Sequence, residues 1–373
     1  MLNNKDYTII IKEKFDTNLS LIWNEIVNSL DETLDPFKSY NWCKTWTEEI
    51  INENRFQKLK IIIIFHKQKP IIIFPLIKNK NIFTSLELIG GIASDYDPVI
   101  LNKKYIIENC RLTIPLQQFI DKNIQYDQLI LRKISTDTKA FLLNFTDLNK
   151  NKFYHVLNTH KLLINYDNKQ NYNASKQRIN LDTGRKIRRL KEIGNLKFEV
   201  IKNKEERIKL YNIFVKQKKE RYEKSDNYNI FKDTKNYNFY KKLFCENNFE
   251  YAHVSCLKIE DTILATHFGF KNKNSFFWIL PSYNFNYYKY SPGRIILEFL
   301  INQSKQDNLK FFDLTVGDEE YKKYWTNISE KIFNYKKNNT FFALLFEFIF
   351  IIKNIIKKNK KLYFLLNKIR NKF

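Results

Sequence analysis

The sequence predicts an α+β fold of two related halves, each a mixed central sheet with helices on both faces. Three observations predict it. A length of 373 residues exceeds one ordinary core and suits two units, since single domains run to about 100–200 residues. The second half reads as helix, helix, three apolar runs parted by short polar turns, helix, strand, helix and strand, which stacks helices on a sheet. The first half repeats much of that order. Hydrophobic residues at 43% and aromatic residues at 16% supply enough apolar surface for both cores and exclude a disordered chain.

Taken in order, Tyr7 to Lys12 reads as a strand, and Leu19 to Leu30 and Tyr40 to Ile51 as helices. The segment "KLKIIIIFHKQKPIIIFPLIKN" is two apolar runs split at His66 to Lys69, the pattern of a hairpin. A strand at Ser85 to Ile89 ends in Gly90 and Gly91, followed by a helix near Tyr105 to Ile120 and a strand at Asp127 to Ile134. The Asn-rich stretch around Asn171 is the expected junction, giving units at 1–170 and 171–337. Helices are expected at Lys204 to Arg221 and Asn236 to Glu246, then the strands "YAHVSCLKI", "TILATHFGF" and "SFFWILPSY" joined by hairpin turns. A helix from Ser291, the strand "LKFFDLTV", the short helix "DEEYKKYW" and the strand "KIFNYKK" complete the second half.

The net charge of +24 attracts phosphate in principle, but only 11 of the 64 basic residues are Arg. Bidentate readout of nucleic acid favours Arg, so direct nucleic-acid binding is not the expected function. Four scattered cysteines, Cys43, Cys110, Cys245 and Cys256, form no CxxC pair and predict neither a zinc site nor disulfides. The first residues have no secretory h-region, so a cytoplasmic location is expected. No metal-ligand spacing, GxSxG elbow or Walker loop is present, and no metal cofactor is expected.

One glycine of seven stands in "YSPGRII". Ser291 is a favoured N-cap and Pro292 a favoured first helical residue. The first turn then offers N–H groups at Gly293, Arg294 and Ile295 with the helix dipole behind them, an anion cradle that a residue without a side chain at Gly293 leaves open. The competing reading is that Gly293 only permits close helix-on-strand packing.

The motifs "ATHFGF", "YSPG", "FDLTVGDEEYK" and, in the first half, "SDYDPVI" resemble those of the CelD-type acetyltransferases associated with cellulose and exopolysaccharide synthesis. These are a branch of the GNAT superfamily, and the resemblance covers most of Asn171 to Trp325, with support from about Phe37 to Val99. It implies tandem GNAT-like halves and acyl transfer from acetyl-CoA or another acyl-CoA to a small or glycan-linked acceptor. It also implies that the donor diphosphate rests on Ser291, Gly293, Arg294 and Ile295. The superfamily's second glycine is missing here and Pro292 removes one donor. His267 is then the candidate base and Tyr321 the candidate acid toward the departing thiolate, with Asp313 as an orienting group. Asp95 and Asp97 are candidates for holding the acceptor. The alternatives are a core histidine, a chance tyrosine and turn-forming aspartates. Two other functions are weighed: a Fem-type transferase using aminoacyl-tRNA, which "RKIRRLK" would suit, and a non-catalytic binding module of a glycan-synthesis system.

The tail, 338–373, differs in kind. Phe341 to Ile352 is apolar except for Glu347, and Lys353 to Phe373 carries eight Lys or Arg and no acid. Twelve residues fall short of the about 20 that span a bilayer. The tail is therefore expected either on an anionic membrane surface or packed on the body.

Overall fold

The computed structural model describes residues 3–4, 6–30, 33–51, 56–164, 174–223, 229–246 and 249–358. The expected junction near Asn171 lies outside them. The first half contains β1 (Asn3–Asn4), β2 (Tyr7–Lys12), α1 (Thr17–Asn28), α2 (Tyr40–Ile50), β3 (Gln57–His66), β4 (Lys69–Lys80), β5 (Thr84–Leu88) and β6 (Ile100–Leu101). It continues with α3 (Lys103–Asn109), α4 (Leu116–Asn123), β7 (Gln128–Ser135), α5 (Thr136–Phe145) and β8 (Phe153–Leu163). The second half contains α6 (Ala174–Ile193), β9 (Leu196–Val200), α7 (Lys204–Glu223), α8 (Thr234–Lys241), β10 (Ala252–Ile259), β11 (Thr262–Lys271) and β12 (Ser275–Tyr283). It ends with α9 (Pro292–Gln306), β13 (Phe311–Val316), α10 (Glu320–Trp325), β14 (Ile328–Asn338) and α11 (Phe341–Lys358).

Local chemistry accounts for most boundaries. Asp16 and Ser39 accept the Leu19 and Trp42 amides and so cap α1 and α2. The β3–β4 turn places Lys67 and Gln68 at φ 47° and 68°, the left-handed pair that a two-residue hairpin requires. The single helix expected over Tyr105 to Ile120 is instead α3 and α4, because Pro115 cannot continue a helix. Beyond the Asn-rich junction, α6 and β9 form where no element was expected.

The sheet does not divide at the junction. Its strands run β1-β2-β3-β4-β5-β7-β14-β8-β13-β12-β11-β10-β9, with β6 paired to β4 off this path. In each half a run of antiparallel neighbours, β1 to β5 and β9 to β12, leads to one parallel pair, β5 with β7 and β12 with β13. The closing strands are exchanged: β8 pairs with β13 of the second half, and β14 pairs with β7 of the first. The two exchanged strands also pair with each other.

Alternation along the strands builds three cores. In the isoleucine run of β3, Ile62 and Ile64 enter a core under α3, α4 and α5, whereas Ile61 and Ile63 face α1 and α2. That second core continues through Phe268 and Phe270 to α7 and α8, so both halves share it. The third core holds Leu264, Trp278 and α9. Tyr335 of β14 is fully buried in the first half's core, where its hydroxyl donates to Gln117 at 2.9 Å and its ring meets Phe153 at 4.9 Å. Tyr335→Ala should therefore destabilise the chain by about 3–5 kcal/mol. Both halves should lose amide-exchange protection in one transition; separate transitions would contradict a shared sheet.

Candidate active site

Strands β12 and β13 pair at only three positions, Ser275 with Phe311, Phe276 with Phe312 and Phe277 with Asp313. Beyond these they part. The cause lies in Asp313, whose carboxylate accepts the Thr315 amide at 2.7 Å and folds the chain back on itself. Thr315 consequently sits at φ 59°, an outlier for a β-branched residue, and the register with β8 slips between Asp313 and Val316. The Thr315 hydroxyl reaches the Trp278 carbonyl at 3.4 Å near the fork.

Tyr96 of the first half locks this device. Its hydroxyl donates to both Asp313 oxygens, at 2.9 and 2.7 Å, within the buried interior. Burial raises the Asp313 carboxyl above its usual range, while the Lys161 ammonium and the Tyr96 bond pull it back. Lys161 also lies 5.7 Å from the Tyr96 ring centroid. Asp35, beside Lys38, is pushed up to about 7, chiefly by burial. Asp313 is thus a positioning residue of the fork. Asp97 does not hold an acceptor: it is fully buried and takes the Ser135 amide at 3.1 Å, the Val99 amide at 3.3 Å and the Lys38 ammonium at 3.3 Å. Asp95 stays partly exposed, with Lys133 at 3.8 Å.

The start of α9 corrects the expected cradle. Ser291 occupies the cap position in the left-handed region, φ 52° and ψ 52°, so its hydroxyl does not cap the helix and accepts instead from Lys186 at 2.8 Å. Ile295 is the fourth helical residue, and its amide makes the first intrahelical bond to the Ser291 carbonyl at 3.2 Å. The Arg294 amide bonds the same carbonyl at 2.9 Å, and the Arg294 guanidinium is ion-paired with Asp182 of α6. Close packing does not demand a glycine at Gly293. A Cβ there would meet only Tyr283, at 3.5 Å, so the protein itself does not require the missing side chain.

His267 is not placed to act as a base. It is completely buried, its Nε2 accepts the Ile279 amide at 3.2 Å, and its ring stacks on Trp278 at 4.4 Å with an 8° tilt. Space for the ring exists because Gly269 has no side chain; a Cβ there would collide with it. Burial holds the imidazole neutral, well below its usual range. His253, on neighbouring β10, is held down to about 3 by the same cause. Tyr321, on α10, is 39% exposed and near the charge of Arg221. Burial and Glu319 push its hydroxyl up to about 12, so it keeps its proton at neutral pH.

Lys218 of α7 was missed. It is 7% exposed, and its Nζ lies 5.8 Å from the Phe214 ring and 5.9 Å from the Tyr222 ring. Among the described residues no group accepts a hydrogen bond from it. Burial, then the Arg221 charge, lowers its ammonium to about 7. The neighbouring Gln217 fixes this turn of helix by accepting from Ser282 at 2.6 Å and donating to the Ile263 carbonyl at 3.3 Å. Arg221, one turn on, lies 5.8 Å from the ring of Tyr283, the last residue of β12. Among the described residues no cluster of His, Cys, Asp and Glu has a metal-site arrangement.

Gly269→Ala should cost about 1–3 kcal/mol by overpacking, with calorimetric melting as the readout. The two histidines fold uncharged, whereas the unfolded chain protonates them below their ordinary value of 6.5. Their stability contribution is full above that pH and lost as pH falls from 6.5 toward 3. Urea midpoints should decline over that interval, and less steeply in His253→Asn. Comparing the two proteins cancels the opposite contribution of Asp35, and parallel curves would refute the assignment.

Residues 175–323 match the family model described as an acetyltransferase (GNAT) domain. No curated protein matches the sequence significantly. Among solved structures, FemX aligns with a TM-score of 0.57 and 11% identity, over 87% of this chain and 98% of its own. The C-terminal domain of a putative lysylphosphatidylglycerol synthetase from Agrobacterium fabrum gives 0.53 and 7%, over 88% and 95%. A conserved protein of unknown function from Bacteroides thetaiotaomicron gives 0.51 and 13%, over 88% and 100%. At these identities the likeness is one of fold. The match to the acetyltransferase (GNAT) domain model covers residues 175–323, less than half of the chain, and supports a transferase.

Proposed function

We propose that the protein transfers an acyl group from a coenzyme A thioester, acetyl-CoA in the simplest case, to an amine or hydroxyl acceptor. The observation that carries this reading is the parting of β12 and β13 beside an open Gly293. Past Phe277 and Asp313 the facing strand edges are not paired with each other, which suits the amide groups of an extended thioester arm. The Gly293 amide and the Lys186 ammonium at Ser291 are suited to the donor's phosphates. The motif resemblance to CelD-type enzymes directs the acceptor toward a glycan of the cell envelope, with partly exposed Asp95 as its remaining carboxylate contact.

Lys218 serves as the base. Neutral above about pH 7, it takes the proton as the acceptor forms its bond to the acyl carbon and the carbon–sulfur bond breaks. Tyr321 donates a hydrogen bond to the departing sulfur. Its hydroxyl, at about 12, is a weaker acid than a thiol of about 8.5, so it supports the thiolate without surrendering its proton.

A second reading takes aminoacyl-tRNA as donor. Exposed Arg185, Arg188 and Arg189 on α6, the helix that also contacts Ser291 and Arg294, favour it. Thermal stabilisation by acetyl-CoA and none by charged tRNA separates the readings.

In calorimetry Gly293→Val should weaken coenzyme A binding at least about tenfold with an unchanged melting temperature, because a branched side chain would block the helix start. Unaltered affinity would remove the phosphate assignment. Lys218→Met should lower kcat by about 10²–10⁴ while donor affinity holds, and abolish the rise of kcat/KM through about pH 7. A retained rise would exclude Lys218 as the base.

A further inference from the structure

Helix α11 is amphipathic in the reverse sense. Its one acidic residue, Glu347, faces the body, where it accepts from Asn338 and pairs with Lys336 at 2.9 Å. Ala343 is buried, and Phe346 meets Phe83 of the β4–β5 turn at 5.7 Å. The opposite side carries Phe341 at 79% exposure, Leu344 at 53%, Leu345 at 43% and Phe348 at 62%, spaced to form one continuous helical stripe. Ile82, in the β4–β5 turn next to Phe83, is also exposed, at 75%.

Positive charge surrounds it. Lys78 and Lys80 lie in the same hairpin as Ile82, and Lys58 pairs with Lys78. Burial, then the charges of Lys60, Lys58 and Lys80, lower the Lys78 ammonium, against a smaller opposing effect of Asp127. The sequence beyond the helix stripe adds eight Lys or Arg and no acid between Lys353 and Phe373. Such a surface repels a second copy of itself. Among the described residues no helix is long and apolar enough to cross a membrane.

We propose that the outer face of α11, with Ile82 and the adjoining lysines, docks on an anionic lipid surface. The apolar stripe inserts at the level of the headgroups while the lysines meet their phosphates. The surface brings the transferase to a membrane without spanning it.

The test is co-sedimentation of the full chain with phosphatidylcholine vesicles, with and without admixed anionic phosphatidylglycerol. Binding should require the anionic lipid and fall at least about tenfold in Leu344→Ser/Phe348→Ser, with the melting temperature unchanged because both side chains are already exposed. Lys58→Glu/Lys80→Glu should weaken it similarly and independently of the stripe. Absence of binding, equal binding to neutral vesicles, or a dimer in light scattering that Leu344→Ser/Phe348→Ser dissolves would overturn the proposal. The readout is lipid binding alone, so its failure leaves the acyl-transfer reading intact.

Discussion

Exchange of the closing strands is the constraint on which the rest of the structure depends. Because β8 closes the second half and β14 the first, neither half can complete its sheet without the other. Opening the halves like a hinge would break backbone pairing along both strands, and that pairing is obligatory for buried amides. The two halves therefore behave as one body. The candidate site exploits this: Lys161 of β8 sits opposite Asp313 of β13 and reaches Glu330 of β14 at 2.7 Å. One lysine thus ties three strands together where the fork begins.

At that point a single carboxylate controls the shape of the site. A β-strand continues unless something competes for its amides, and Asp313 competes for the amide of Thr315. A buried, bent carboxylate costs desolvation, which its hydrogen bonds offset only in part. The Tyr96 hydroxyl, the Thr315 amide and the Lys161 charge share that compensation. Two of the three come from the first half, so a half with no apparent chemistry of its own is needed to hold the slot open. This is a physical reason for a tandem arrangement that does not require two active centres.

The legible parts of the sequence were those whose signals are local. The isoleucine runs of β3 and β4, the capping residues Asp16 and Ser39, and the Pro292 helix start each declare an element within a few residues. Helix α6 is illegible because its inward side, buried Thr183 and Leu190 with half-buried Ile187, lies among Lys and Arg and is too sparse to stand out. The exchange of β8 and β14 joins residues more than 150 positions apart, and no short-range pattern encodes that pairing. Alternation put His267 on the face opposite Thr266 and Phe268, but not into the space that Gly269 leaves for it. Lys218 did carry a signal: it continues the buried spacing of Leu210 and Phe214 along α7, at a place where a lysine is costly.

That cost explains why a buried lysine suits the chemistry better than the buried histidine. Both lose charge on burial, but from different starting points. Desolvation carries His267 far below neutrality, where it binds a proton too weakly to drive deprotonation of an amine or hydroxyl. The same effect brings Lys218 from 10.5 to about 7, where it is half neutral and still a strong enough base. On the acyl-transfer reading proposed above, a water-excluding site therefore favours an amine over an imidazole as the base. Arg221 acts in the same direction, since its charge lowers the Lys218 ammonium further and also lowers the Tyr321 hydroxyl.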